Sequence, residues 1–215
     1  MKLPHIGILS PEFPPDIGGI ENYALGYAQA LADLGYPVTV FTRRHGQGEV
    51  SLPGSEIRPL LKVRRVLDRV LLKDPKIDAW HAMNAAYAWA TEETEKPVLV
   101  SVHGNDFLQA YLPVTALAPY RFGPLWRLEG PLRRLERAWL ADTTAKIRRW
   151  LPKAAAILTN SRYTEQVLVE KIPACRGKTI PALVGVDPFF FDLPLATGER
   201  HRPLRLITVA RLTEP

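Results

Sequence analysis

The sequence predicts an α/β protein, a Rossmann-like doubly wound parallel sheet with helices on both faces. Three observations carry this expectation. The strand candidates are short runs that are apolar on both faces, as parallel strands covered on each side must be. They alternate along the chain with segments of helical periodicity. Glycine or polar residues recur at the carboxyl ends of the strands, where an open parallel sheet takes its ligand.

Residues 6–10 open the sheet, and a loop with Pro11, Pro14 and Pro15 then runs to Gly18-Gly19. Ile20, Tyr23, Ala24, Tyr27, Ala28, Leu31 and Leu34 recur at helical spacing, and Gly35 is placed to end that helix. Residues 37–42 form a second strand, and residues 44–56 read as loop. Val63, Val66, Leu67 and Val70 make another helical stripe, stopped at Asp74-Pro75. Residues 77–80 are a short strand ending at His81. Residues 85–94 read as helix, and residues 98–102 as a strong strand ending at His103. Residues 104–124 hold several prolines and little periodicity, the marks of a long loop. Pro131 can open a helix whose apolar face includes Leu132, Leu135, Trp139, Ile147, Trp150 and Leu151. Residues 155–159 are a strand. Ser161 suits the N-cap of a helix over residues 162–172, with Glu165 near its start. Residues 179–184 are a further strand.

Residues 1–192 therefore read as one domain. Residues 193–203, with Pro194, Gly198 and Pro203, read as a linker. Residues 204–215 carry an apolar strand that is expected to open a second, truncated domain; the alternative is a last strand of the same domain.

The chain has 215 residues, 47% hydrophobic and 23% charged, which excludes a wholly disordered chain, a collagen-like chain and a membrane bundle. A single cysteine, Cys175, excludes an intramolecular disulfide framework and makes a reducing, cytoplasmic compartment the simplest expectation. Residues 1–10 are too short and broken for a signal peptide. No stretch reaches the length needed to cross a bilayer. The formal net charge of +6 is localised: residues 43–76 carry nine basic and four acidic residues, and residues 121–153 nine and three. The second segment combines Arg127, Arg133, Arg134, Arg137, Arg148 and Arg149 with Trp126, Trp139 and Trp150. Two readings stand for it, a helix face that is merely solvated and a peripheral contact with an anionic membrane.

Several familiar chemistries are missing. No G-x-G-x-x-G follows the first strand. Gly177-Lys178-Thr179 precedes a strand rather than a helix, so it reads as a turn and not a phosphate loop. The five histidines show no metal-ligand spacing, and no metal site is expected. What remains sits at strand ends. Gly18-Gly19 precedes a helix and lets an anionic ligand approach the backbone amides. His81 and His103 can converge on one crevice. His103 is followed by Gly104-Asn105-Asp106, where imidazole and carboxylate can orient a hydroxyl or stabilise developing charge. Asp187 ends the last strand before the linker.

These residues resemble a family. Residues 11–21, Pro-Glu-Phe-Pro-Pro-Asp-Ile-Gly-Gly-Ile-Glu, are similar to the amino-terminal loop of the retaining glycosyltransferases of family 4. Ser101-Val102-His103-Gly104-Asn105-Asp106 resembles that family's strand-end histidine motif. Thr159-Asn160-Ser161-Arg162-Tyr163-Thr164 resembles its later strand-to-helix turn. Gly185-Val186-Asp187-Pro188-Phe189-Phe190 resembles the segment before the interdomain crossover, with Val184 where an Asn is usual. Val209-Ala210-Arg211-Leu212 resembles the opening strand of the second domain.

The resemblance implies one half of a two-domain type B glycosyltransferase: an acceptor-side domain, inactive alone, of an enzyme that transfers sugar from a UDP- or GDP-sugar with retention and without a metal. By resemblance, His103 and Asp106 are the catalytic candidates. Gly18, Gly19, Glu21, His81, Asn105, Ser161, Arg162, Asp187 and Arg211 are donor- or acceptor-binding candidates, with Arg211 on the diphosphate. The implied partners are a nucleotide-sugar and a glycan or lipid-linked acceptor, not nucleic acid. The rival reading is a non-catalytic module that recognises an anionic glycan or lipid surface.

Overall fold

The computed structural model describes residues 2–16, 18–44, 51–104, 106–107, 129–183, 185 and 191–192; for 129–133, 135–137, 139 and 140 it describes the backbone alone. The chain divides into two compact units, Met1–Val184 and Gly185–Pro215. Of the second, Phe191 and Asp192 are exposed. The expected linker and the strand at 204–210 lie outside the described residues, as does most of the loop expected at 104–124.

Seven strands build the first unit: β1 (Ile6–Leu9), β2 (Val38–Arg43), β3 (Ser55–Leu61), β4 (Ala79–Ala82), β5 (Val98–Val102), β6 (Ala156–Thr159) and β7 (Thr179–Pro181). They form one parallel sheet in the order β3-β2-β1-β4-β5-β6-β7. The chain works outward from β1 to β3, then returns to the other side of β1. That reversal opens a crevice at the carboxyl ends of β1 and β4, where doubly wound sheets bind ligands. The α/β doubly wound sheet read from the sequence is the sheet observed.

Adjacent residues of a strand face opposite sides, and here both sides are covered. Ile8 and Val40 join Phe13, Ala24, Ala28 and Met83 in one apolar cluster. Their neighbours Leu9 and Phe41 join Trp80, Val100, Ile147, Trp150 and Leu168 in another. The helices that supply these layers are α1 (Gly19–Asp33), α3 (Glu129–Trp150) and α4 (Arg162–Lys171), with a 3-10 helix at Ala85–Glu92. Gly35, at φ 85°, closes α1 as foreseen: its amide donates to Ala32, and that of Tyr36 to Leu31. Helix α3 starts two residues before Pro131, and Ile147, Trp150 and Leu151 of its expected apolar face are buried.

Two expectations are corrected, and a third gains a direction. Part of the loop expected at 44–56 belongs to β3, an edge strand that pairs only with β2. Its exposed face carries Glu56, and Pro59 is tolerated because the edge needs no second ladder, so it lacks the apolar signature of the inner strands. The strand expected to stop before His81 includes it. The stripe Val63, Val66, Leu67 and Val70 does not face the sheet. It forms α2 (Arg65–Asp68), continued by a 3-10 turn at Arg69–Lys73, and Val66, Leu67 and Val70 are 72%, 52% and 62% exposed. The buried side holds Asp68 and Leu72. Asp68 accepts from the backbone amides of Lys62 and Arg64 at 2.7 and 2.9 Å, and from the Tyr87 hydroxyl at 3.3 Å. This buried acceptor satisfies a tight turn, in which Val63 takes φ 57°, and it fixes which side of the segment turns inward.

Candidate functional site

The crevice is built first from the loop after β1. Ser10 is buried, and its hydroxyl donates to the Glu12 carbonyl at 2.6 Å. Arg43 at the end of β2 donates to the Pro11 carbonyl at 2.8 Å. The loop delivers Gly18 in extended conformation as the N-cap of α1, with no side chain capping the helix. Glycine has no side chain to cap the first amides of this fifteen-residue helix, and the Glu21 carboxylate folds back over Gly18. A side chain at Gly18 would collide with the Glu21 carboxylate, whereas at Gly19 the space is empty. Glu21 lies in the first helical turn, where its charge opposes the helix's partial positive charge.

The loop after β4 adds Asn84, whose Oδ1 accepts from the Ala86 amide and whose Nδ2 donates to Glu12 at 3.5 Å. Glu12 is half-buried. Burial first, and then the charge of Glu21, push its carboxyl above the usual range. Sequence reasoning quoted Glu12 only as part of a loop and passed over Asn84. Their signal was position: each closely follows one of the two strands that flank the switch in strand order.

His103 follows β5 and is half-buried. Its Nε2 donates to the Met83 carbonyl at 2.9 Å, and its ring meets the edge of Tyr23 with centroids 5.1 Å apart. The carbonyl can only accept, so Nε2 carries the proton and Nδ1 is the acceptor of the neutral ring. Burial lowers its pKa, which favours that neutral ring. His81 stands behind it in β4, fully buried, with Nε2 2.8 Å from Ser101 Oγ and its ring edge against Tyr27. Burial, and then His103, hold its pKa down to about 3, so it is an uncharged core group. Tyr23 and Tyr27, one turn apart on α1, therefore tie the helix to both histidines.

Asp106 accepts from the Ala85 amide at 3.1 Å through Oδ2, while Oδ1 has no hydrogen-bond partner among the described residues. Burial pushes its carboxyl up to about 7, against the pull of nearby backbone amides. At neutral pH it can donate or accept a proton. An uncapped helix end, a neutral imidazole and a carboxyl near its titration point can together hold a hydroxylated, anionic ligand. Among the described residues no three His, Cys, Asp or Glu side chains gather as metal ligands.

Two of the remaining candidates, Ser161 and Arg162, follow β6 along the sheet edge. Ser161 caps α4, accepting from the Thr164 amide at 3.1 Å, as the sequence predicted. Thr164 also donates to Asn160 at 2.8 Å. Arg162 is exposed at the first turn of α4. Asn105, Asp187 and Arg211 lie outside the described residues. Of the basic segment 121–153, Arg134 and Arg148 are exposed. Trp150 is buried and donates to Glu92, which also pairs with Arg149 and Lys153. No described helix is long and apolar enough to cross a membrane.

A family model described as Glycosyltransferase Family 4 matches residues 17–188. Among solved structures the chain is similar to Anabaena HepE, solved in complex with UDP and glucose, at 17% identity and a TM-score of 0.44. The similarity covers 87% of this chain and 46% of that one. A glycosyltransferase from Rickettsia africae follows at 14% identity and 0.45, covering 89% and 46%. Phytolacca americana UGT2 stands at 11% identity and 0.48, covering 87% and 54%. The chain spans about half the length of these structures. A search of curated proteins finds no match.

Proposed function

The chain belongs to glycosyltransferase family 4, and from that premise we propose that it is the acceptor-side half of a retaining enzyme that takes sugar from a UDP- or GDP-sugar. Residues 1–192 form the acceptor domain in this reading, residues 193–203 the linker, and residues 204–215 the start of the donor domain. The observation that carries the proposal is the convergence at the β1–β4 switch: an uncapped helix end at Gly18-Gly19 beside a His103 pinned by the Met83 carbonyl.

Each group then has a task. The Gly18-Gly19 amides receive phosphate or acceptor oxygens, and Gly19 lets them come close. Neutral His103 offers Nδ1 to a hydroxyl of the reacting sugar and fixes its orientation. Asp106 holds the turn after β5 through Ala85 and presents a proton-bearing carboxyl. His81 acts from behind as a positioning residue through Ser101. Glu21, Asn105, Ser161, Arg162 and Asp187 complete the binding wall, and Arg211 pairs with the diphosphate. The leaving phosphate takes the acceptor proton on the same face, so the protein supplies placement and charge stabilisation rather than a strong base. No metal takes part in this reading.

One half of a two-domain cleft cannot exclude water from the reaction, so residues 1–215 alone are expected to turn over no sugar. The test supplies UDP- and GDP-sugars to this chain and to a protein that continues through a second domain, and reads the product anomer by NMR. Transfer with retention by the longer protein only is the expected result. An inverted product, or robust transfer by residues 1–215, would overturn the proposal.

A further inference from the structure

The segment that follows β3 has a surface which the transfer reaction leaves unused. From Lys62 to Lys73 the exposed residues are Lys62, Arg64, Val66, Leu67, Arg69, Val70 and Lys73. All are basic or aliphatic. The one acid of the segment, Asp68, is turned into the core and hydrogen-bonded there. Val70 lies one turn from both Val66 and Leu67, so the three aliphatic side chains share a face. Left to hydrophobic burial alone, these residues would pack on the sheet; the Asp68 latch holds them outward.

We propose that residues 62–73 dock the protein on an anionic lipid surface, the cations on the head groups and Val66, Leu67 and Val70 in the interfacial layer. Charge complementarity selects this occupant. Four exposed cations without an exposed anion repel a second copy of the same face. Nucleic acid would use the cations but gain nothing from three exposed aliphatic side chains, which contain neither donors nor stacking rings. A leaflet uses both kinds of group at once. The segment begins where β3 ends, at the carboxyl edge of the sheet that also carries the β1–β4 crevice. The inference rests on this surface alone and holds whether or not the crevice transfers sugar.

This surface is separate from residues 121–153, where the sequence also raised a membrane contact and where most of the side chains named for it lie outside the described residues. There Trp150 is buried, and Arg149 and Lys153 pair with Glu92.

The test is co-sedimentation of the full chain with vesicles of phosphatidylcholine alone, or of phosphatidylcholine with phosphatidylglycerol, at low and high salt. Wild type is expected to pellet with the anionic vesicles only, and less so as salt screens the contact. Each cation removed lowers partitioning about fivefold, so Arg69→Glu with Lys73→Glu abolishes most of it. Val66→Ser with Leu67→Ser and Val70→Ser weakens binding while the melt stays unshifted, since these side chains are exposed. Arg134→Glu with Arg148→Glu in α3 leaves binding unchanged. Failure of wild type to pellet with anionic vesicles at low salt overturns the inference. So does loss of binding in the α3 variant but not in the segment variants, or capture by nucleic acid without vesicle binding.

Discussion

Gly7 and Trp80 lie opposite each other across β1 and β4, and a Cβ on Gly7 would stand 2.7 Å from the Trp80 ring. The ring is fully buried and cannot retreat, so Gly7→Ala forces overpacking and is expected to cost about 1–3 kcal/mol. Urea unfolding reads this as a lower midpoint with unchanged slope; an unchanged midpoint would mean that the sheet absorbs a methyl group at this point. Asp106 sets a second expectation. Its carboxyl ionises at about 4 in an unfolded chain but holds its proton to about 7 in the fold. Across that window the unfolded state releases the proton first, so the stability this group contributes falls as pH rises from about 4 to about 7. His81, held neutral down to about 3, acts in the opposite direction: its contribution is present above about 6.5 and is lost as pH falls. Both wild type and Asp106→Asn retain that effect, so it cancels between them. The stability of Asp106→Asn relative to wild type should therefore climb with pH through the window, as urea midpoints at several pH values would reveal. A difference independent of pH would contradict the buried, proton-bearing carboxyl. Sequence position alone placed both histidines near strand ends. It could not separate a half-enclosed His103 from a wholly buried His81, because that depends on where Tyr23 and Tyr27 of α1 land.

At the scale of elements, inner strands and capped helices were legible, and edges were not. Strands covered on both faces must be apolar throughout, so β1, β2 and β5 announce themselves. Ser161 and Gly35 marked helix ends because their roles are local hydrogen bonds. Strand β3 escaped notice because its outer side answers to solvent. The 62–73 segment is helical, as its periodicity predicts, but periodicity reveals a stripe and not the side on which it packs. One buried carboxyl decides that here. Asp68→Ala leaves the Lys62 and Arg64 amides and the Tyr87 hydroxyl without their acceptor, at an expected cost of about 2–3 kcal/mol. Asp68→Asn keeps one acceptor oxygen and should recover part of the loss. Thermal melts of the two variants check this order, and a harmless Asp68→Ala would show that the turn closes without its latch.

At the scale of the molecule, the strand order places the crevice, and strand order is a non-local property. The alternation of strands and helices made a doubly wound sheet legible, and the strand-end residues marked its carboxyl edge. The reversal between β1 and β4, which brings Glu12, Gly18, Asn84 and His103 to one end of the sheet, emerges only from the pairing. Family membership rests on the matched residues 17–188. His103 is where three elements, α1, β5 and the end of β4, converge to hold one neutral ring. The most direct measurement is kcat/KM for sugar transfer by a protein that continues this chain through a second domain, wild type beside His103→Ala, each with its melting curve. Loss of a placed group of this kind is worth about 3 kcal/mol at the transition state, so kcat/KM should fall about 100-fold in a variant that still melts cooperatively. Wild-type kcat/KM in a folded His103→Ala would contradict the placement of the reacting sugar at this ring.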